Sequence, residues 1–276
     1  MHDQYSSRNF DFCLLIPCFN NKEGLLVSLN SVFYSSSNFL VLIVDDGSQE
    51  PIREQEVSGV TTGLIKIIRS DTNEGITKAL NRGLIWITAH INTPYVARLD
   101  CGDICHKERF NKQVDFLENN PHVSLLGSWC NFKDEIGGRT FQYRSPQLHT
   151  AIIRDMYYRN SFMHASIIMR LPVLKATGFY PLDYEYAEDY ALFWILCKNS
   201  QVGILQESLV NCLLNRKGIS FRNKNKQLWA RLKVVRNLAP NSIQKWLGIA
   251  KILCLFTIPK QVILNMKIIL SRNAAN

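Results

Sequence analysis

The sequence has no Cys-x-x-Cys pair, no Gly-x-Gly-x-x-Gly, and no Gly-x-x-x-x-Gly-Lys followed by Ser or Thr. Each absence excludes a class. Without paired cysteines, the eight Cys frame neither a disulfide scaffold nor a zinc ribbon. Several sit in apolar runs such as FCLLIPC and NCLL, which reads as reduced, buried thiols. Cys101, Cys105 and His106 have no second ligand pair at a zinc-like spacing. Without the glycine signatures, neither a dinucleotide-binding Rossmann site nor a P-loop is expected. Long apolar runs are also missing. Within residues 246–270 the longest stretch free of Lys is eight residues, against about 20 for a membrane span. The opening MHDQYSSRNFDF carries no apolar signal core, so a cytoplasmic location is expected.

Acidic residues are absent from one region altogether. Residues 215–276 hold 13 of the 32 Lys and Arg and no Asp or Glu. That leaves 19 basic against 23 acidic residues in 1–214. The net charge of +9 therefore belongs to the tail. A mildly acidic domain with a basic end argues against a nucleic-acid-binding fold and for an anion-seeking tail.

What is present is an alternation. FCLLIP (12–17), FLVLIV (39–44), LIKII (64–68) and PYVARL (94–99) are short apolar runs of strand type. Between and after them, residues 22–35, 76–89 and 107–121 repeat apolar residues at helical spacing. Continuous apolar strands between amphipathic helices predict an α/β fold, with a mostly parallel, Rossmann-like sheet flanked by helices. The second half of the chain is less regular.

Ligands of such sheets bind beyond the carboxyl ends of the strands. The unusual residues gather there: Pro17–Asn20, then Asp45–Asp46–Gly47–Ser48, then Asp100 and Asp103 within ARLDCGDIC. Adjacent carboxylates accept hydrogen bonds from a base or ribose but repel a diphosphate unless a cation intervenes. Asp100 and Asp103 are either a polar turn or a site for a hard divalent cation, Mg²⁺ or Mn²⁺. Asp103 has a further alternative as a cap for the helix near Lys107. A third acidic group, Asp183, Glu185, Glu188 and Asp189, precedes an apolar helix. Glu188 and Asp189 complement that helix dipole or supply a general base.

In chain order the motifs LLIPCFNNKEGLLVSLNSV, VLIVDDGS, NEGITKALNRGL, YVARLDCGDICHKERFNKQVDFLENNP, LLGSW, HASIIMR and YAEDYALFWIL resemble the inverting family 2 nucleotide-sugar glycosyltransferases. The bacterial branch that builds surface polysaccharides is the nearest in character. The resemblance covers about residues 11–220 and implies a GT-A fold over 1–220, followed by a basic, apolar helical tail over 221–276. It implies that Pro17, Phe19 and Asn20 line a nucleotide pocket. Asp45 and Asp46 hold the base or ribose. Asn73, Gly75, Lys78 and Asn81 shape the loop and helix beside the donor. Arg98 and Asp100 open the metal-binding segment, His164 starts an acceptor-side strand, and Asp189 is the general base with Glu188 as its alternative. Three positions depart from the pattern. Gly102 stands at the second Asp of Asp-x-Asp, so the expected metal ligands become Asp100 and Asp103. Ala165 follows His164 where Pro is common. Arg216 and Lys217 replace a His-containing loop and are assigned to the leaving diphosphate.

The implied reaction is sugar transfer from a nucleotide-diphosphate sugar to a hydroxyl of a saccharide, expected to be lipid-linked. The alternatives are a glycoside hydrolase, a non-catalytic nucleotide-sugar-binding relative, and a transferase to polyprenyl phosphate. For WLGIAKILCLFTIPKQVILNMKIIL (246–270), Lys-bearing apolar helices without acids predict peripheral binding to the inner face of the plasma membrane. A helix pair packed on the core is the alternative.

Overall fold

The computed structural model describes residue 5 and residues 8–134, 138–214 and 223–273. The first strand β1 (Phe12–Cys18) leads into helix α1 (Lys22–Asn30), then β2 (Phe39–Asp45), a short α2 (Glu54–Val57) and β3 (Leu64–Arg69). Helix α3 (Ile76–His90) precedes β4 (Tyr95–Arg98), the two-residue β5 (Ile104–Cys105) and α4 (Arg109–Asn119). The second half runs β6 (Val123–Asp134), β7 (Thr140–Tyr143), α5 (His149–Met156), β8 (Ile168–Arg170), α6 (Leu171–Thr177), α7 (Glu188–Asn199) and β9 (Gln201–Leu214). Three tail helices follow: α8 (Lys224–Leu238), α9 (Ile243–Thr257) and α10 (Lys260–Asn273).

Among the described residues the strands form one sheet in the order β3-β2-β1-β4-β8-β6-β9-β5, with β7 on β6. The expected α/β sheet is there. Its β3-β2-β1-β4 half is parallel, as the apolar runs predict. Beyond β4 the sheet is mixed, because β8 runs antiparallel between β4 and β6. Strands β6 and β9 pair in parallel over their length with bulges near Ser128 and Trp129. Those irregularities break the alternation that marks a strand in sequence.

The pleat divides the core in two. Cys13, Leu15, Leu40, Leu42 and Val44 point to one face, under α3, α5 and α7. Phe12, Leu14, Ile16, Val41 and Ile43 point to the other, under α1 and α4. Helix α1 stops at Asn30, short of the expected 35. Ser31 ends it: its hydroxyl donates to the Ser28 carbonyl at 2.7 Å, competing with the helical ladder.

The tail is part of this architecture. Leu228, Val234, Val235 and Ile252 are buried in the same apolar cluster as α3 and α7. Gly248 of α9 lies so close to Tyr157 that a Cβ there would stand 2.2 Å from its carbonyl oxygen. The outward face of α9 stays bare: Ile243, Trp246, Leu247 and Leu253 are exposed. No helix among the described residues is long and apolar enough to cross a membrane.

Candidate active site

Two loops meet at the end of β1. Register aligns Cys18 with Asp45, and Asp45 with Arg69, so three strand ends stand side by side. Asn20 adopts a left-handed backbone, φ 48°, which asparagine tolerates better than most residues. Its N–H donates to Ser48 Oγ at 2.9 Å, and its Oδ1 accepts from Gln49 N–H at 2.8 Å. Phe19 beside it is exposed. Pro17, at the strand end, is half-buried.

The paired aspartates of VDDGS are both buried. Asp45 accepts from Ser48 N–H at 2.9 Å, from Ile52 N–H at 3.4 Å, and from the Arg69 guanidinium. Asp46 accepts from the N–H groups of Glu74 at 3.1 Å and Gly75 at 2.9 Å. Asp45 and Asp46, expected to hold a base or ribose, also fix the two loops that carry Ser48, Asn73 and Gly75. Burial argues for Asp45 as much as the contacts do, since an enclosed carboxylate needs such donors. Lys78 is exposed in the first turn of α3. Asn81, on α3, clamps Tyr180, with hydrogen bonds to its N–H at 2.9 Å and carbonyl at 2.8 Å.

The ARLDCGDIC turn lies between β4 and β5, and β5 pairs with β9. Helix α1 cradles it. The buried Ser28 hydroxyl accepts from Gly102 N–H at 2.9 Å and lies 3.0 and 2.8 Å from the carbonyls of Asp100 and Asp103. Gly102 has φ 99°, a conformation that favours glycine. This turn is therefore one into which a second Asp would fit only with strain. Asp103 is no helix cap: α4 begins at Arg109, and the side chain hydrogen-bonds Cys212 and the Leu213 backbone on β9.

Arg98, expected at the donor, is fully buried. It donates to Leu15 O at 2.6 Å, Asp100 Oδ1 at 2.6 Å and His164 Nε2 at 3.3 Å. With Arg98 as donor, His164 Nε2 accepts, so the imidazole proton sits on Nδ1. Tyr180 OH completes the chain, 2.7 Å from the same Nε2. Burial, with Arg98 adding to it, pushes His164 down to about 3, so it is neutral. A second buried guanidinium, Arg109, donates to Arg98 O at 2.7 Å.

Burial alone would raise Asp100; Arg98 overrides it and holds the carboxyl below its ordinary value. Across the site, burial pushes Asp189 up to about 6, against a hydrogen bond from Tyr190 N–H, and Asp100 adds to the rise. Burial, then the charge of Asp189, push Glu188 up to about 7. Asp189 also accepts from Asn160 Nδ2 at 2.9 Å. Asp100, Glu188 and Asp189 thus share one field, with Tyr180 and His164 beside them. Arg216, and Lys217 with it, lie outside the described residues.

Asp100 and Asp103 offer the hard oxygen donors that Mg²⁺ or Mn²⁺ takes, and their mutual repulsion favours a cation between them. Among the described residues no three His, Cys, Asp or Glu side chains form a complete cage. By donor chemistry the pair would suit such a cation, with the Asp103 carboxyl also engaged by Cys212 and the Leu213 backbone. Sequence reasoning missed Ser28, Arg69, Arg109, Asn160 and Tyr180. Of these, only Arg69 carried a signal, as a lone cation at a strand end.

The comparisons with known proteins agree with this layout. A model described as glycosyl transferase family 2 matches residues 13–176. The amylovoran biosynthesis glycosyltransferase AmsE of Erwinia amylovora is 31% identical over 186 residues, which cover 66% of this chain and 68% of AmsE. A Haemophilus influenzae glycosyltransferase is 29% identical over 192 residues, covering 66% of this chain and 58% of that protein. Staphylococcus aureus TarS in complex with UDP superposes with a TM-score of 0.62 at 18% identity, over 88% of this chain and 71% of that one. The Pyrobaculum calidifontis mannosyltransferase PcManGT, in complex with GDP-Man and Mn²⁺, gives 0.60 at 11% identity, over 98% and 81%. The fold is that of the GT-A glycosyltransferases, and the chain is a glycosyltransferase. It belongs to glycosyl transferase family 2.

Proposed function

We propose that the chain transfers a sugar, with inversion, from a nucleotide-diphosphate sugar to a hydroxyl of a saccharide acceptor during surface-polysaccharide assembly. The observation that supports this reading is Asp189 in the first turn of α7, held by Asn160 at 2.9 Å and within electrostatic reach of Asp100. The nucleotide rests on the exposed atoms of the loops that Asp45 and Asp46 fix, with Phe19 and Asn20 at the lip. UDP and GDP-Man in the two solved neighbours are nucleotides of that kind. The polysaccharide assignment leans on AmsE, named for amylovoran biosynthesis.

Asp189 takes the proton of the acceptor hydroxyl. The freed oxygen attacks the anomeric carbon as its bond to the diphosphate breaks, and a single displacement inverts that carbon. A proton acceptor poised near neutrality contributes about 10²–10⁴-fold. Asp100 and Asp103 would hold a divalent cation, which supplies charge neutralisation at the departing diphosphate when bound. Arg98, clamped by Leu15 and His164, keeps Asp100 ionised and oriented.

The bare face of α9, with Trp246 and Leu247 beside a tail without acids, rests on anionic lipid in this reading. That would hold the enzyme against the inner membrane face, near a lipid-linked acceptor. The test is a panel of UDP- and GDP-sugars assayed for Mn²⁺-dependent nucleotide release by the wild type and Asp189→Asn. Release by the wild type, with release and transfer lost in the variant at unchanged UDP affinity, supports the reading. No UDP or GDP binding under any condition would sink it.

A further inference from the structure

Just before Glu188 and Asp189 in sequence, residues 183–186 and α8 line a groove of about 540 Å³. That volume is within the range of small-ligand sites, about 300–1,000 Å³. We propose that this groove binds an anionic saccharide, the part of the acceptor adjoining the hydroxyl that Asp189 deprotonates. The proposal rests on the transferase reading and gives it a substrate class.

The two walls differ in chemistry. One is the segment that runs directly into α7 and carries the exposed acids Asp183 and Glu185. Carboxylates accept hydrogen bonds, and sugar hydroxyls donate them. The other wall, from α8, carries Lys226, Lys233 and Arg236. Two of these cations are held in place. Lys226 Nζ stands 5.3 Å over the ring of Tyr186, and Lys233 Nζ stands 5.2 Å over Tyr184 while donating to Asp183 O at 2.7 Å. An anionic group meeting them forms charge-assisted hydrogen bonds with little further ordering.

The α8 wall also carries Trp229, which is 61% exposed, unusual for so large an aromatic, and is propped by Phe256 at 5.2 Å between ring centroids. An exposed indole with a fixed orientation offers a flat apolar face, which matches the C–H face of a pyranose. The segment opposite is conformationally committed too. Tyr186 has φ 71°, a strained value for a non-glycine residue, and sits two residues before Glu188. Strain of this kind is kept where neighbours over-determine a functional geometry. The whole groove lies beyond residue 176, where the family-wide match ends. The donor-side motifs fall inside that match, and the groove falls outside it.

The experiment follows the indole N–H resonance of Trp229 in the full ¹⁵N-Trp-labelled chain, assigned with Trp229→Phe. The probes are cellobiose, inorganic phosphate, glucose 1-phosphate, digalacturonate, and glucosyl diphosphoundecaprenol in nanodiscs. At least one anionic sugar should move Trp229 and bind about tenfold or more tighter than cellobiose and phosphate. Response to the nanodisc probe alone makes the source a lipid-linked sugar; response to the soluble acids makes it an acidic glycan. Lys226→Gln with Arg236→Gln should weaken that probe about tenfold and leave UDP affinity unchanged. Should the double variant fold poorly, the wild type decides: raised salt should weaken the anionic probes and spare cellobiose. The proposal fails if no anionic sugar moves Trp229, if cellobiose binds as tightly, or if neither charge removal nor salt weakens binding. Loss of UDP binding by the wild type would instead count against the transferase reading, since the groove is assayed without nucleotide.

Discussion

The end proposed to take the donor and the end proposed to take the acceptor are built in different ways. At the donor end the functional loops are short, follow directly from parallel strands, and are tied to one another by side chains a loop apart, as Asp46 ties Gly75 and Asn20 ties Ser48. At the acceptor end, Asp189 gathers partners from distant segments, Asn160 among them, and α8 supplies a wall from beyond β9. The first arrangement is rigid and generic. The second couples catalysis to how the tail is packed. Perturbations should therefore separate by region, and the largest effects should come from the acceptor end.

The strongest is Asp189→Asn. Transfer should fall by about 10²–10⁴-fold, with UDP affinity unchanged by calorimetry. A loss of UDP binding would erase the division between the two ends. Next is Asp100→Asn or Asp103→Asn, assayed across a Mn²⁺ titration. A metal-holding Asp should show lost turnover and a weakened metal dependence; Asp100→Asn should also lower the melting temperature, because it leaves the buried Arg98 without its carboxylate, and wild-type activity that survives a chelator would remove the metal from the site.

Gly248→Ala probes the join between tail and core. The added methyl meets the Tyr157 carbonyl, and overpacking of this kind costs about 1–3 kcal/mol, readable in a denaturant melt. An unchanged melt would mean that α9 can shift outward freely. Trp246→Ser with Leu247→Ser, in contrast, should leave the melt alone and lower co-sedimentation with anionic vesicles.

A pH series separates chemistry from stability. Glu188 and Asp189 have folded values near 7 and 6, above the ordinary 4.5 and 3.8. The folded chain therefore holds protons that the unfolded chain has released, and their contribution to stability is full below about pH 4 and lost as pH rises through 6 to 7. Transfer should move the other way, rising with pH around an apparent value near 6 that belongs to the pair. Asp189→Asn should remove only its own share and part of that of Glu188, because burial also pushes Asp103 up to about 7 in the same window. The smallest expected effect is Tyr180→Phe. It deletes one hydrogen bond to His164, worth about 0.5–1.5 kcal/mol, and should raise the Mn²⁺ requirement a few-fold through Arg98 and Asp100. An equal effect from Phe12→Leu, in the core away from this chain, would make the change merely structural.

The same division decides what the sequence discloses. The strand runs, the DDGS turn, Asp100 and the Glu188–Asp189 pair are local patterns, and each lies where its pattern puts it. Ser28 could not be read this way, because its partners at Asp100 and Asp103 are more than seventy residues on. Nor could the inward turn of Asp45: an acid at a strand end looks alike whether it opens to a ligand or closes on Arg69. Tyr180 is one of ten tyrosines, and only the fold puts it on His164. The tail's sequence carried two signals at once, apolar residues for packing and lysines for lipid, and α9 divides them otherwise: its apolar residues lie on both faces, while Lys245 and Lys251 turn back to the Ala239 carbonyl and the Tyr158 ring.

The notch at Gly248 has a geometric consequence. With α9 seated directly on the Tyr157 backbone, its outer stripe cannot swing independently of the body that carries Asp189. If that stripe lies on a bilayer, the height of the reacting carboxylate above the lipid is set like a gauge block. Acceptors would then be selected by how far their terminal hydroxyl stands from the membrane, and a glycan one sugar too short or too long would present nothing at the working height.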